Sequence, residues 1–79
     1  MAVPPRTIDP ALARVVRRLR EEQGISQETL ARRADMSTGS YAKVERGRTG
    51  PAWITVRAIA RGLGMTATEL AELVEAEGQ

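Results

Sequence analysis

Residues 24–47, GISQETLARRADMSTGSYAKVERG, contain two helix starts eleven residues apart. At each, a serine (Ser26, Ser37) stands where an N-cap is needed. The apolar residue before it (Ile25, Met36) can staple to one four residues past the cap (Leu30, Tyr41). In the first helix Leu30, Ala31 and Ala34 fall on one side, and the alanines suit a steep crossing of two helices at close range. In the second, Tyr41 and Val44 point inward, which leaves Thr38, Gly39, Ala42, Lys43 and Arg46 on the opposite side. The stretch therefore reads as two short helices joined by a sharp turn, the second presented outward.

The flanks extend this to an all-α chain of five helices. Asp9-Pro10 is an N-cap followed by proline at the first helical position, and Leu12, Val15, Val16 and Leu19 form an i, i+3, i+4, i+7 stripe that carries helix 1 to about Glu22. Gly47 to Pro51 reads as a loop. Beyond it Trp53, Val56, Ile59, Ala60 and Leu63 predict the buried stripe of helix 4, with the tryptophan in the core and Gly64 ending the helix. Helix 5 opens with a capping box, Thr66-x-x-Glu69, and a Met65/Leu70 staple, and continues through Leu73 and Val74. Residues 1–8, MAVPPRTI, have two prolines and no periodicity and read as a flexible arm before a domain over residues 9–77. Arg6 has the charge to touch a polyanion, although a solvated tail explains it more simply.

Composition narrows the function classes. Seventy-nine residues make one small domain with no room for a separate effector module. The chain has no cysteine and no histidine, so it lacks a disulfide framework and the usual residues of zinc and acid/base chemistry. No apolar run approaches the ~18 residues of a membrane span, so no membrane role is expected and an intracellular, cytoplasmic location is the default. Net charge is +2, yet unevenly placed. Residues 1–61 hold all 12 Lys/Arg against six acids, a net +6, while residues 62–79 hold four glutamates and no cation, a net −4. A basic body with an acidic last helix fits a protein that offers one surface to phosphates and turns another away. An enzyme is the weakest reading, since Glu21, Glu22 and Glu45 sit among arginines with no nucleophile–base pair or metal cluster. No cofactor is expected.

The runs LREEQGISQETLAR (19–32), VERGRTGP (44–51) and AIARGLGMTATEL (58–70), together with Ser37, resemble the lambda-repressor/Cro-like (XRE) helix-turn-helix regulators over roughly residues 11–76. The resemblance implies a compact five-helix bundle that binds operator DNA as a homodimer, with helix 3 in the major groove. It assigns Thr38, Gly39, Ala42 and Lys43 to base edges. Lys43 is the long donor suited to guanine, and Thr38 and Ala42 suit thymine methyls. Phosphate contacts fall to Arg20, Ser26, Gln27, Ser40, Arg46, Arg48 and Thr49. For Gln27 a neutral surface role stays open, and for Ser40 a solvent-facing one. Arg20 and Glu45 match positions that pair between helix 1 and the end of helix 3. Asp35 replaces the usual glycine of the turn, where positive φ is expected.

With base contacts this sparse, dimerisation on half-sites about one helical turn apart is expected, with Met65, Leu70, Leu73 and Val74 of helix 5 as the candidate interface, although the commoner role of such residues is to close the core beneath helix 1. The function expected is a stand-alone regulator of the phage-repressor, antitoxin or restriction-modification controller type, which blocks or recruits RNA polymerase. The competing reading is an adaptor that uses the same bundle to hold a cognate protein partner.

Overall fold

Four of the five helices start where a side chain takes up the free amides of the first turn. The computed structural model of the chain describes residues 9–78, and the arm expected over residues 1–8 lies outside them. Asp9 accepts from the Ala11 and Leu12 amides at the start of α1 (Pro10–Glu22). Ser26 accepts from Thr29 N at α2 (Gln27–Arg33), and Ser37 accepts from Ser40 N at α3 (Thr38–Glu45). Only α4 (Trp53–Gly62) begins without a side-chain cap. At α5 (Ala67–Glu77) the Thr66/Glu69 capping box is closed in both directions, at 3.0 and 2.8 Å.

The turn between α2 and α3 passes through Asp35 at φ 57°, the left-handed conformation that the family resemblance implies there. Aspartate tolerates that region at a modest cost, and the Met36 amide closes the turn by donating to the Ala31 carbonyl. α2 then packs on α3 and α4, α1 on α3 and α5, and α4 on α5. The fully enclosed side chains at the centre are Tyr41, Leu30, Ile59, Leu70, Val15 and Val16.

Two expectations about the core fail. Trp53 is 59% exposed, and its neighbour Ile54 is 74% exposed. The first residue of α4 lies beyond the neighbouring helices' cover, so the indole sits at the rim of the bundle. Leu70 is wholly buried, so its role is to close the protomer from within rather than to face a partner. Met65, Leu73 and Val74 are half-buried against the same core.

A polar cluster ties α1 to α3. Arg20 grips Glu45 in a two-pronged pair, Nε to Oε2 at 2.5 Å and Nη2 to Oε1 at 3.2 Å, and its Nη1 donates to the Ile25 carbonyl at 2.8 Å. Gln27 Nε2 adds a bond to Glu45 Oε1 at 3.1 Å. The Glu45 side chain is almost wholly buried, and burial pushes its carboxyl pKa up. Hydrogen bonds from Arg20 and Gln27, the nearby Tyr41 hydroxyl and the Arg20 charge outweigh that and hold it below the ordinary glutamate value.

Three predictions follow from this packing. A Cβ at Gly62 would meet Leu30 Cδ1 at 2.9 Å and Arg33 Cβ at 3.2 Å, so Gly62→Ala should destabilise by about 1–3 kcal/mol in denaturant unfolding. Gly39 has open space around it, and the same substitution there should stabilise by about 0.5–1 kcal/mol. Glu45→Gln should cost about 2 kcal/mol near neutral pH, less than breaking a sealed pair because Arg20 keeps a solvent-facing edge. Since the folded-state pKa of Glu45 is depressed, its contribution is complete above the ordinary glutamate range and is lost as pH falls through the folded value. Melting temperatures of wild type and Glu45→Gln, measured against pH, should therefore converge in acid.

Candidate nucleic-acid interface

α3 is short, and its sequence divides it cleanly. Tyr41 and Val44 go into the core, while Thr38, Gly39, Ser40 and Lys43 stand exposed in a row along the outer side. Ala42 departs from its expected place. It is only 9% exposed, because α3 packs against α1 and α2 together and its buried arc is wider than a single-partner stripe. That leaves Thr38, Gly39 and Lys43 as the outward residues of the set assigned to base edges, with Lys43 the one charged donor among them.

Two open clefts flank this row. The first is lined by Arg17, Arg20, Gln27, Glu45, Arg46 and Arg48, with a volume of about 580 Å³. It gathers cations from α1 and from the segment after α3, separated by more than twenty residues of sequence. Arg20 and Gln27 are oriented here by Glu45 at the floor. Three of the five N–H groups of Arg20 are engaged, and two remain to donate outward. Arg46 and Arg48 are exposed and form no ion pair among the described residues. Arg17, which the sequence reading passed over, lines the same cleft and is held by Glu21 at 3.3 Å. Its signal was available: it lies three residues before Arg20 and so shares a helix face with it.

The second cleft, about 300 Å³, runs along the other flank and is lined by Met36, Ser40, Lys43, Val44, Thr49, Pro51, Ala52 and Thr55. Ser40 accepts a hydrogen bond from the Ser37 hydroxyl at 2.9 Å, which frees its own proton for an outside acceptor. Thr49 is half-buried beside it. Ser26 lies apart from both clefts, exposed at the start of α2 and bonded to Thr29. Below the row, the Tyr41 hydroxyl is sealed without a hydrogen-bond partner of good geometry. Burial first, and then the neighbouring Glu45 carboxylate, push its pKa well above the usual phenol value, so it stays protonated.

The arrangement has the chemistry of a polyanion grip around a protruding helix. Arginines lie on one side of the α3 row and the Ser40 and Thr49 hydroxyls on the other, so a duplex backbone can be held while base edges meet α3. Among the described residues there is no group of three or more His, Cys, Asp or Glu that could hold a metal ion, and no helix is long and apolar enough to cross a membrane.

The sequence profile of the helix-turn-helix domain family matches residues 11–73. The HTH-type transcriptional regulator y4dJ of Sinorhizobium fredii is 40% identical over 53 residues, which cover 67% of this chain and 69% of that protein. Among solved structures, the restriction-modification controller C.AhdI of Aeromonas hydrophila is 30% identical, with a TM-score of 0.74 over 77% of this chain and 92% of that one. The controller C.Esp1396I, solved as a tetramer with its natural 35-base-pair operator, shares the fold at a TM-score of 0.82 and 21% identity, over 89% of this chain and 92% of that one. With its capped α2 and α3, its left-handed turn at Asp35 and this match over most of its length, the chain belongs to the helix-turn-helix domain family of lambda-repressor/Cro-like transcriptional regulators.

Proposed function

We propose that this chain binds a specific duplex DNA operator as a homodimer, with α3 of each copy in the major groove, and so controls transcription. The observation that carries this reading is the gathering of Arg17, Arg20, Arg46 and Arg48 on one flank of an exposed α3 row that ends in Lys43. An enclosed ion pair holds one of those cations at a fixed angle, as a backbone contact that sets docking register requires. Phosphates then meet Arg17, Arg20, Gln27, Arg46 and Arg48 on one side and Ser40 and Thr49 on the other, with Ser26 at the α2 terminus. Lys43 supplies direct readout, Thr38 gives apolar contact with a thymine methyl, and Gly39 lets the backbone come close.

The kinship with C.AhdI and C.Esp1396I favours the restriction-modification controller type over a phage repressor or an antitoxin. Regulation follows from occupancy: a protein seated on an operator blocks RNA polymerase or gives it a surface to meet. Such work is done in the cytoplasm, where the DNA is.

Selection from randomised duplexes should return an inverted repeat. Lys43→Ala should relax one position of each half-site, at a cost of about 1–3 kcal/mol against the preferred base. Arg46→Ala and Arg48→Ala should instead weaken all sequences alike, each lowering the slope of log K against log salt by about one. Selection that returns no motif, with weak binding to every duplex, would overturn the reading.

A further inference from the structure

Trp53 stands on the wall of an apolar groove of about 190 Å³ between α1, α4 and α5. Leu12, Val56, Ala71 and Val74 extend the apolar lining, and Asp9 and Glu75 border it. That volume accepts one branched aliphatic side chain. Asp9 is also where the described residues begin, and its backbone enters α1 extended, at φ −112° and ψ 98°. Residues 1–8, MAVPPRTI, are therefore joined to the molecule at the border of this groove. Residues 3–8 reach at most about 20 Å from that point, enough to run its length.

This segment complements the groove in shape, stiffness and charge. Ile8, next to Asp9, is a branched aliphatic of the size the groove admits. Pro4 and Pro5 fix φ and restrict the residue before each, so Val3-Pro4-Pro5 favours polyproline II and costs little entropy to hold. Segments of that kind dock in aromatic-lined grooves. With Tyr41 enclosed, Trp53 is the one aromatic face that the chain leaves exposed. Arg6 is the only charged side chain of residues 1–8. Of the glutamates on α5, Glu69 closes the capping box and Glu77 is clamped by Arg14 and Arg18. Glu72 and Glu75 are exposed and form no ion pair among the described residues, and Glu75 lies at the groove.

We propose that residues 3–8 lie along this groove as a strap, with Ile8 seated beside Leu12, Pro4 and Pro5 against the Trp53 indole, and Arg6 paired with Glu75. The strap covers the side on which α1, α4 and α5 leave apolar surface in water, and it commits Arg6 to α5 instead of to a phosphate. It needs neither DNA nor a second copy. Trp53 is the chain's one tryptophan, so its emission reports on the groove directly.

The test follows that emission, and its quenching by acrylamide, across a dilution series of the chain of residues 1–79, with sedimentation at each concentration. Wild type should emit at short wavelength and resist quenching throughout, down to concentrations at which only monomer sediments. Ile8→Gln should move emission to longer wavelength, increase quenching and lower the melting temperature by about 4 °C or more. Pro4→Ser together with Pro5→Ser should do the same to a smaller extent. Arg6→Glu and Glu75→Arg should each uncover the indole in part, and the double variant should cover it again. A cooperative melt of each variant shows that it is folded. Long-wavelength emission from wild type, or emission unmoved by Ile8→Gln and Arg6→Glu, would overturn the proposal. Emission that shortens only as dimer forms would give the groove to a second copy instead. Should Arg6→Glu leave emission unchanged and lower the slope of log K against log salt on duplex DNA by about one, Arg6 belongs to a phosphate and the strap is likewise excluded. The fluorescence arms contain no DNA, so a chain that selects no operator motif would leave the strap standing.

Discussion

Glu45 is the residue on which the placement of α3 turns. An eight-residue helix has too few internal hydrogen bonds to persist unaided, and its orientation must come from what it packs against. Tyr41 and Val44 fix its depth, but apolar contacts alone tolerate rotation about the helix axis. The carboxylate at its last residue removes that freedom, because a two-pronged bond to Arg20 is satisfied in one geometry only. Gln27 reaches the same carboxylate, so α1, α2 and α3 meet at one buried group. Desolvation offsets much of the Coulomb gain in such a cluster, and its main effect is to select one arrangement of three helices rather than to add stability.

The same group serves the surface above it. Arg20 and Gln27 would otherwise be long side chains with several rotamers each, and ordering them on contact with a phosphate would cost conformational entropy. Held by Glu45 beforehand, they meet an anion already oriented. Arg46 and Arg48 have no such support and stay adaptable, which suits contacts that add affinity and set no register.

Helix starts were legible because capping is local. Asp9, Ser26, Ser37 and Thr66 each act within three residues of themselves, so sequence spacing contains the whole interaction. The positive φ at Asp35 was reached through the family resemblance, which has glycine at that bend. The Arg20–Glu45 pair spans twenty-five residues and was reached through family resemblance alone; nothing in the spacing points to it. Trp53, Ala42 and Leu70 were misplaced by one shared error. Periodicity says which side of a helix is apolar but not where the neighbouring helices stop. Trp53 overhangs the rim, Ala42 is covered by a second neighbour, and Leu70 sits deeper than the surface of α5. Arg17 was missed because a cleft is a property of three segments together.

These displacements bear on how the domain divides its apolar residues. A bundle this small has little interior, and α5 is drawn wholly into closing it. Its Glu77 is clamped by Arg14 at 3.2 Å and Arg18 at 3.3 Å, which fastens the end of α5 to α1. An element so committed cannot also move to meet a partner without opening the core. The start of α4 carries no such duty: its first two residues project where the core ends, and their removal from water would leave the protomer's packing unchanged. Folding therefore leaves apolar surface uncovered at Trp53 and Ile54, and Ala52 and Thr55 beside them border the cleft that holds Ser40 and Lys43.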